Sequence, residues 1–323
     1  MIHLPHEILQ IIFDKCDFID QVNLKKTCNL FNNFIVHDFY LLSSFIKYNI
    51  TEEIIENNPQ ITKLDISFFR DLEIDFSLLP NLKVLDCSYN FQITDDDIKC
   101  LNLIELFANS SDLKNISHMS NLEILGCTNN SAISDEDIAQ LNLIELYASD
   151  NPKIKNVKHM SKLQVLDCGH KCGVSDEDLI GLGITELQIT GNKKITNVQH
   201  LKNLKKLDCS YESALTNENL KSLNLIELNI FNNKVLNNIT HMSNLRILHC
   251  GLDSLISDNE LQNLNLTELH AYGNSKIKNI GHMSNLRILY CGDDCGICYE
   301  DIKNLNLIKL DATGNRKVTD YLQ

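Results

Sequence analysis

The sequence predicts an α/β protein: a small helical N-terminal unit followed by a right-handed solenoid whose parallel strands line a concave sheet. Three observations carry this. A tract of the form NLxxLxC returns six times, led by Leu82, Leu122, Leu163, Leu204, Leu245 and Leu286, with a step of 40 residues once and 41 in the other four cases. A second, LIEL-like tract lies between them at Leu103, Leu143, Ile184, Leu225, Leu266 and Leu307, so the unit is two shorter repeats of about 20 residues each. The first sixty residues carry neither tract.

The N-terminal element begins with Leu4-Pro5, and Ile8, Leu9, Ile12 and Phe13 give it an apolar face at helical spacing. A second helical pattern follows with Val22, Leu24, Cys28, Phe31 and Phe34. Three short helices within residues 1–42 make too little core for secure stability alone, so this unit is expected to bury its surface on a partner. A helical connector over 43–60 includes Phe45, Ile54 and Ile55. The solenoid takes 61–323, with thirteen strands counted from Ile61 to Leu307, a sheet roughly 60 Å long at ~4.8 Å per strand.

Within each repeat, positions 1, 4 and 6 are apolar and position 9 is often Asn (Asn90, Asn130, Asn151, Asn192, Asn233, Asn274, Asn315), which is the leucine-rich-repeat signature. Such stacked units are binding scaffolds. Six of the twelve cysteines (Cys87, Cys127, Cys168, Cys209, Cys250, Cys291) occupy position 6 of alternate repeats. Equivalent residues two strands apart lie roughly 9.6 Å from each other, beyond the ~7 Å between Cα atoms that a disulfide allows. They read as buried thiols in a reducing compartment. Cys295-Gly-Ile-Cys298 has the spacing of half a zinc site, but no second pair completes four ligands. In the repeat register Cys298 stands where Thr94, Ser134, Ser175, Thr216 and Ser257 stand, and those open helices with a hydroxyl cap and an acidic first turn. No calcium loop is present, since the alternating ligands, glycine and distal Glu are missing. The histidines His118, His159, His200, His241 and His282 recur at intervals of 41, too far apart to share a metal, and are expected to bond their own turns. No metal and no cofactor is called for.

With positions 4 and 6 buried, positions 3, 5 and 7 face outward. Position 3 of the second-type strands reads Glu105, Glu145, Glu186, Glu227, Glu268 and Lys309; position 5 brings Phe107, Tyr147, His249, His270 and Tyr290 among aspartates. The residues expected to meet a target are Glu105, Phe107, Glu145, Tyr147 and Glu186, then Glu227, His249, His270 and Tyr290. Two carboxylates about 9.6 Å apart repel by only ~0.4 kcal/mol in water, so repeat duplication suffices to explain the glutamate column, and a basic target is the alternative it leaves open. Position 5 is the better evidence, because duplication does not diversify one column while its neighbours stay fixed; the competing reading is that these side chains merely cover the sheet.

A net charge of −14 over 323 residues opposes binding to nucleic acid or to an anionic membrane. No signal peptide opens the chain and no apolar run is long enough to span a bilayer, so an intracellular, soluble protein of cytoplasm or nucleus is expected. No phosphate loop, nucleophile signature or local carboxylate pair points to an enzyme.

Leu4-Pro-x-Glu-Ile-Leu-x-x-Ile-Phe13, with Asp20, Leu24, Cys28 and Phe31, resembles an F-box, and the whole chain resembles the F-box/leucine-rich-repeat proteins, whose Cys-bearing repeats are similar to NLxxLDCS…ITDDDI here. It departs from that pattern at Cys16 and Gln21, usually Leu, at Thr27, usually Val, and in having no Trp. The resemblance implies a three-helix F-box that docks on the Skp adaptor of a cullin-based ubiquitin ligase, with Leu4, Pro5, Ile8, Leu9, Ile12 and Phe13 facing the adaptor and Cys28 and Phe31 in a second contact region. The solenoid would hold the protein to be ubiquitinated. The alternative is a plain binding module, or a decoy that sequesters the adaptor without ubiquitin transfer. The Asn/Ile/Lys-rich composition is similar to F-box repeat proteins of giant DNA viruses of amoebae, for which the compartment would be the host cell's.

Overall fold

The computed structural model describes residues 38–39, 59–68 and 74–321. The adaptor-facing set from Leu4 to Phe31, and Phe45, Ile54 and Ile55 of the connector, lie outside them. Two compact units, Met1–Leu143 and Ile144–Gln323, make up the chain.

In the first unit the strands β1 (Asp38–Phe39), β2 (Lys63–Asp65), β3 (Val84–Asp86), β4 (Glu105–Phe107) and β5 (Ile124–Gly126) pair in parallel, each with the next. In the second, β6 (Glu145–Tyr147), β7 (Val165–Asp167), β8 (Glu186–Gln188), β9 (Lys206–Asp208), β10 (Glu227–Asn229), β11 (Ile247–His249), β12 (Glu268–His270), β13 (Ile288–Tyr290) and β14 (Lys309–Asp311) follow the same rule. From β2 to β14 these are the thirteen repeat strands the period predicts. The extra strand β1 falls in the span expected to be helical, and pairs Asp38 with Lys63 and Phe39 with Leu64.

Register is fixed by the position-4 leucine: Leu64 faces Leu85 and then Leu106, and Leu228 faces Leu248 and then Leu269. A one-residue slip would turn each leucine out to water. The position-6 residues behind them, including Cys87, Cys127, Cys168, Cys209, Cys250 and Cys291, are fully buried free thiols. Burial pushes the titration of five of them up, to about 12 for Cys291 and further for Cys87, Cys168, Cys209 and Cys250.

Two kinds of return segment close the core. After the Cys-bearing strands the chain turns through α1 (Asp95–Ile98), α2 (Asp135–Ile138), a 3-10 turn at Asp176–Leu179, α3 (Asn217–Leu220), α4 (Asp258–Leu261) and α5 (Tyr299–Ile302). The third residue of each turn accepts the cap residue's N–H, at 2.8 Å from Thr94 to Asp97 and 2.8 Å from Cys298 to Asp301. Cys298 is thus a helix cap in the row of Ser and Thr. At Thr94 the hydroxyl donates back to Asp97, a closed box at the helix entry. The first acidic residue does something the sequence did not suggest: Asp95, Asp176 and Asp258 accept backbone N–H groups of the following half-repeat, from Lys114, Thr196 and Lys278. In the other half-repeats the return is extended and buries every third residue, as Leu113, Ile116 and Met119, or Ile277, Ile280 and Met283, all at 0 % exposure. Each such side chain contributes about 1.5–3 kcal/mol of burial.

The asparagines hold the turns. Asn274 donates to Cys250 O at 2.8 Å and Ile256 O at 3.0 Å while accepting from Lys276 N at 3.0 Å; Asn315 repeats the pattern on Cys291 and Ile297. Asn130 departs from the expected row. Asn129 and Asn130 both take left-handed backbone (φ 56° and 61°), so the chain reaches the interior one residue later and Ser131, not Asn130, is buried. Cys172, Ser213, Ser254 and Cys295 fill the same tenth position in later Cys-bearing repeats. A residue of positive φ ends the strand turn in each repeat, glycine at Gly191, Gly273 and Gly314 but a residue with a side chain in the others, bulky ones such as Phe68, Tyr89, Tyr211 and Leu252 among them, at a conformational cost of roughly 1–2 kcal/mol for a side chain with a Cβ.

The histidine row also differs from expectation. His118 Nδ1 bonds its own turn at Asn115 O, but His241 and His282 reach back to carbonyls of the preceding half-repeat, Leu220, Leu223 and Leu261. At the far end of the second unit α6 (Arg316–Thr319) buries Val318 completely, and Tyr321 stacks on Tyr299 at 5.7 Å. Leu310 remains half-buried where Leu289 is fully enclosed.

Two expectations follow. Asn274→Ala leaves two buried carbonyls without a donor and lowers unfolding free energy by about 2–4 kcal/mol, whereas Asn130→Gly stays within about 0.5 kcal/mol, both read from urea unfolding. The six position-6 thiols resist a thiol reagent at pH 8 until the protein is unfolded, while exposed Cys100 reacts at once; rapid modification of Cys209 in the folded protein would overturn the buried assignment.

Candidate functional site

The face offered by positions 3, 5 and 7 divides by chemistry. At position 5, wherever Asp or Asn stands, its side-chain oxygen accepts the backbone N–H two residues on: Asp65 from Ser67 at 2.9 Å, Asp86 from Ser88 at 2.9 Å, Asp208 from Ser210 at 2.9 Å, Asn229 from Phe231 at 3.0 Å and Asp311 from Thr313 at 3.0 Å. Such Asx turns terminate the strand. These side chains therefore have a structural task, which the sequence reading missed; the Asp-x-Ser spacing after Leu64, Leu85 and Leu207 was the available signal.

The predicted residues Glu105 and Phe107 lie on β4 of the first unit, both half-buried. The Phe107 ring reaches over the next strand, where a Cβ at Gly126 would stand 2.7 Å from its Cδ1. The other seven lie in the second unit. Glu145 accepts the Tyr147 hydroxyl at 2.7 Å, and burial with this contact raises the Tyr147 pKa. Burial raises Asp167 to about 6, with the charge of nearby Asp208 acting in the same direction. Glu186 and Glu227 flank Lys206, which lies 3.2 Å from the first and 3.8 Å from the second. The hydrogen bond to Glu186 raises the Lys206 pKa. The glutamate column is thus interrupted by a cation on the intervening strand, which the second-type repeats alone do not reveal.

His249, His270 and Tyr290 come together on β11, β12 and β13. Their rings stack with centroids 3.9 Å and 4.3 Å apart. His270 Nε2 is 2.6 Å from Glu268 Oε1, and Lys309 Nζ lies 5.0 Å from the Tyr290 centroid, a cation over a ring face. Burial, then neighbouring His270, lowers the His249 pKa to about 4, so its ring is uncharged at neutral pH. Two more rings that sequence reasoning did not single out stand at position 7. Phe231 leans over Gly251 and Tyr272 over Gly292, with ring carbons 2.7 Å and 2.9 Å from where a glycine Cβ would be. Alternation of ring and glycine along position 7 was the readable signal. Among the described residues no group of three His, Cys, Asp or Glu side chains is placed to hold a metal ion, and no helix is long and apolar enough to cross a membrane.

Comparison with known proteins accords with both parts of the chain. The F-box domain model matches residues 1–39. Among solved structures, a chain of the yeast Rad7 and Elc1 complex is similar over 98 % of this chain and 90 % of its own, with 16 % identity and a TM-score of 0.53. The functional domain of InlJ from Listeria monocytogenes, described as including a cysteine ladder, is similar over 83 % of this chain and 67 % of its own, with 22 % identity and a TM-score of 0.52. No curated protein matches. The chain joins an N-terminal F-box match to a parallel-stranded solenoid of the leucine-rich-repeat kind.

Proposed function

We propose that this chain is the substrate-recognition subunit of a Skp–cullin type ubiquitin ligase. The observation that carries the reading is the pairing of an F-box match over residues 1–39 with a repeat array whose open sheet face presents side chains not consumed by the fold. Leu4, Pro5, Ile8, Leu9, Ile12 and Phe13, with Cys28 and Phe31, dock the adaptor, and the adaptor brings the cullin. Glu105, Phe107, Glu145, Tyr147 and Glu186, with Glu227, His249, His270 and Tyr290, meet the target. Ubiquitin transfer belongs to other subunits, and the chain itself supplies position. The compositional likeness to viral F-box repeat proteins extends the same reading to an adaptor of a host cell.

Changing Leu4 and Pro5 together to Ala is expected to abolish co-purification with the adaptor and cullin from cell extract, measured by mass spectrometry, and to leave the proteins held by the solenoid in place. Adaptor capture undiminished in the double variant would remove the F-box assignment, and adaptor without cullin would favour the decoy. For a target identified in this way, Tyr147→Ala is expected to weaken binding by about 1–3 kcal/mol, since enclosed aromatic anchors carry most interface energy. Glu186→Gln with Glu227→Gln is expected instead to slow association and flatten its salt dependence.

A further inference from the structure

On the second unit, strands β10 to β13 carry the ring cluster that the fold itself does not need. His249, His270 and Tyr290 form one row, and Phe231 and Tyr272 a second, one side chain further along the strands. None of these is a core residue: each is only half-buried or, as with Tyr272 at 40 %, exposed. The second row lies over Gly251 and Gly292, where a Cβ would stand 2.6 Å from the carbonyl oxygens of Tyr272 and Thr313 and 2.7 Å and 2.9 Å from the rings of Phe231 and Tyr272. Just beyond it, Leu252 holds left-handed backbone with 39 % of its surface in water, an unfavourable choice at a site where the later repeats use Gly273, Asp293 and Gly314.

The position-3 row beside these rings alternates. Glu227, Ile247, Glu268 and Ile288 follow one another on consecutive strands in register. Equivalent residues two strands apart are separated by roughly 9.6 Å, and a chain of polyproline-II type advances about 3.1 Å per residue and, at three residues per turn, returns every third side chain to the same face. Three residues of such a chain, laid across the strands, therefore span the step from one carboxylate to the next. Uncharged His249 places no positive charge in the way. Lys206 sits nearer Glu186 than Glu227 and is half-exposed, and an ion pair so exposed is worth at most about 1 kcal/mol, which an incoming cation can replace.

We infer that the ring-bearing face of β10 to β13 is the docking surface for an extended, polyproline-II-like basic segment of a partner protein, with cationic side chains three residues apart over Glu227 and Glu268 and apolar side chains over Ile247, Ile288 and the rings. This rests on the reading of the solenoid as the target-holding part and names the chemistry of the segment it holds. Charge complementarity selects the occupant: between Lys206 on β9 and Lys309 on β14, the charges of this row on β10 to β13 are the carboxylates of Glu227 and Glu268, on a chain of net charge −14.

The test uses the full chain and fluorescein-labelled ten-residue peptides in fluorescence anisotropy at low and physiological salt. One peptide carries two arginines three residues apart among apolar residues, one has the same composition with the arginines adjacent, and one has glutamates in their place. The spaced peptide should bind at least about five-fold tighter than the adjacent one, and the acidic peptide should not bind. Glu227→Gln with Glu268→Gln, which keeps side-chain shape, should weaken the spaced peptide about ten-fold, and Phe231→Leu with Tyr272→Leu, which keeps apolar bulk, several-fold. Each variant is checked for an unchanged melting curve. Equal binding of spaced and adjacent peptides, indifference to the Gln variants, preference for the acidic peptide, or no binding accompanied or not by self-association would each overturn the proposal. The Leu4→Ala, Pro5→Ala variant should bind the spaced peptide as the unchanged chain does, so loss of the adaptor and loss of this surface are read separately.

Discussion

A strand of three residues cannot satisfy its own backbone, and the rest of this protein is organised by that constraint. Each N–H must find a carbonyl on the neighbouring half-repeat, as Ile66 does on Asp86 at 2.8 Å, Cys209 on Asn229 at 2.9 Å and His170 on Thr190 at 2.7 Å. The turns have no such ladder, so side chains are recruited: asparagine amides for buried carbonyls, aspartates for the N–H groups at strand ends and at the next return segment. Each half-repeat is an incomplete object whose missing partners are printed on its neighbour, which is why stability in such arrays is built by stacking.

That internal demand shapes the outward face as well. Where position 5 is Asp or Asn, its side chain is committed to closing the strand and has less freedom to meet a ligand. Where position 5 is aromatic or histidine, the closing bond is given up and a ring stands on the sheet instead. In the second unit the stretch from β11 to β13, between Asn229 on β10 and Asp311 on β14, is where three consecutive strands do not spend position 5 on their own backbone. Carboxylates at position 3 lie outside this conflict, and each is free to take a tyrosine, lysine or histidine neighbour according to what its flanking strand supplies.

Much of this was legible in the sequence because it is periodic. Six copies of a leucine at one spacing leave little doubt about which side of the strand is buried, and aligning Cys298 with Thr94 and Ser257 was enough to read it as a helix cap. What repeats with variation was harder. Asn130 occupies the expected column, yet two consecutive left-handed residues move the buried site to Ser131, and backbone sign is not encoded by residue type when Tyr89, Tyr211 and Leu252 adopt it as well as glycine. Strand β1 has no apolar alternation of its own, being recruited by pairing with β2. The rings at Phe231 and Tyr272 were passed over because their partner is an absence, the glycine on the next strand.

The two half-repeats also differ in how they bury the turn. In the second unit the Cys-bearing kind fills it with a serine or cysteine at the tenth position, and the other kind with an asparagine at the ninth whose amide answers carbonyls of the Cys-bearing half-repeat before it, as Asn274 answers Cys250 and Ile256. Unequal recombination that removed or copied a single half-repeat would bring two turns of one kind together, leaving either carbonyls with no amide or an amide with the wrong carbonyls. Change in array length is thereby channelled into whole pairs, and the period of 41 is the smallest step by which such a gene can lengthen or shorten its product and still encode a closed interior.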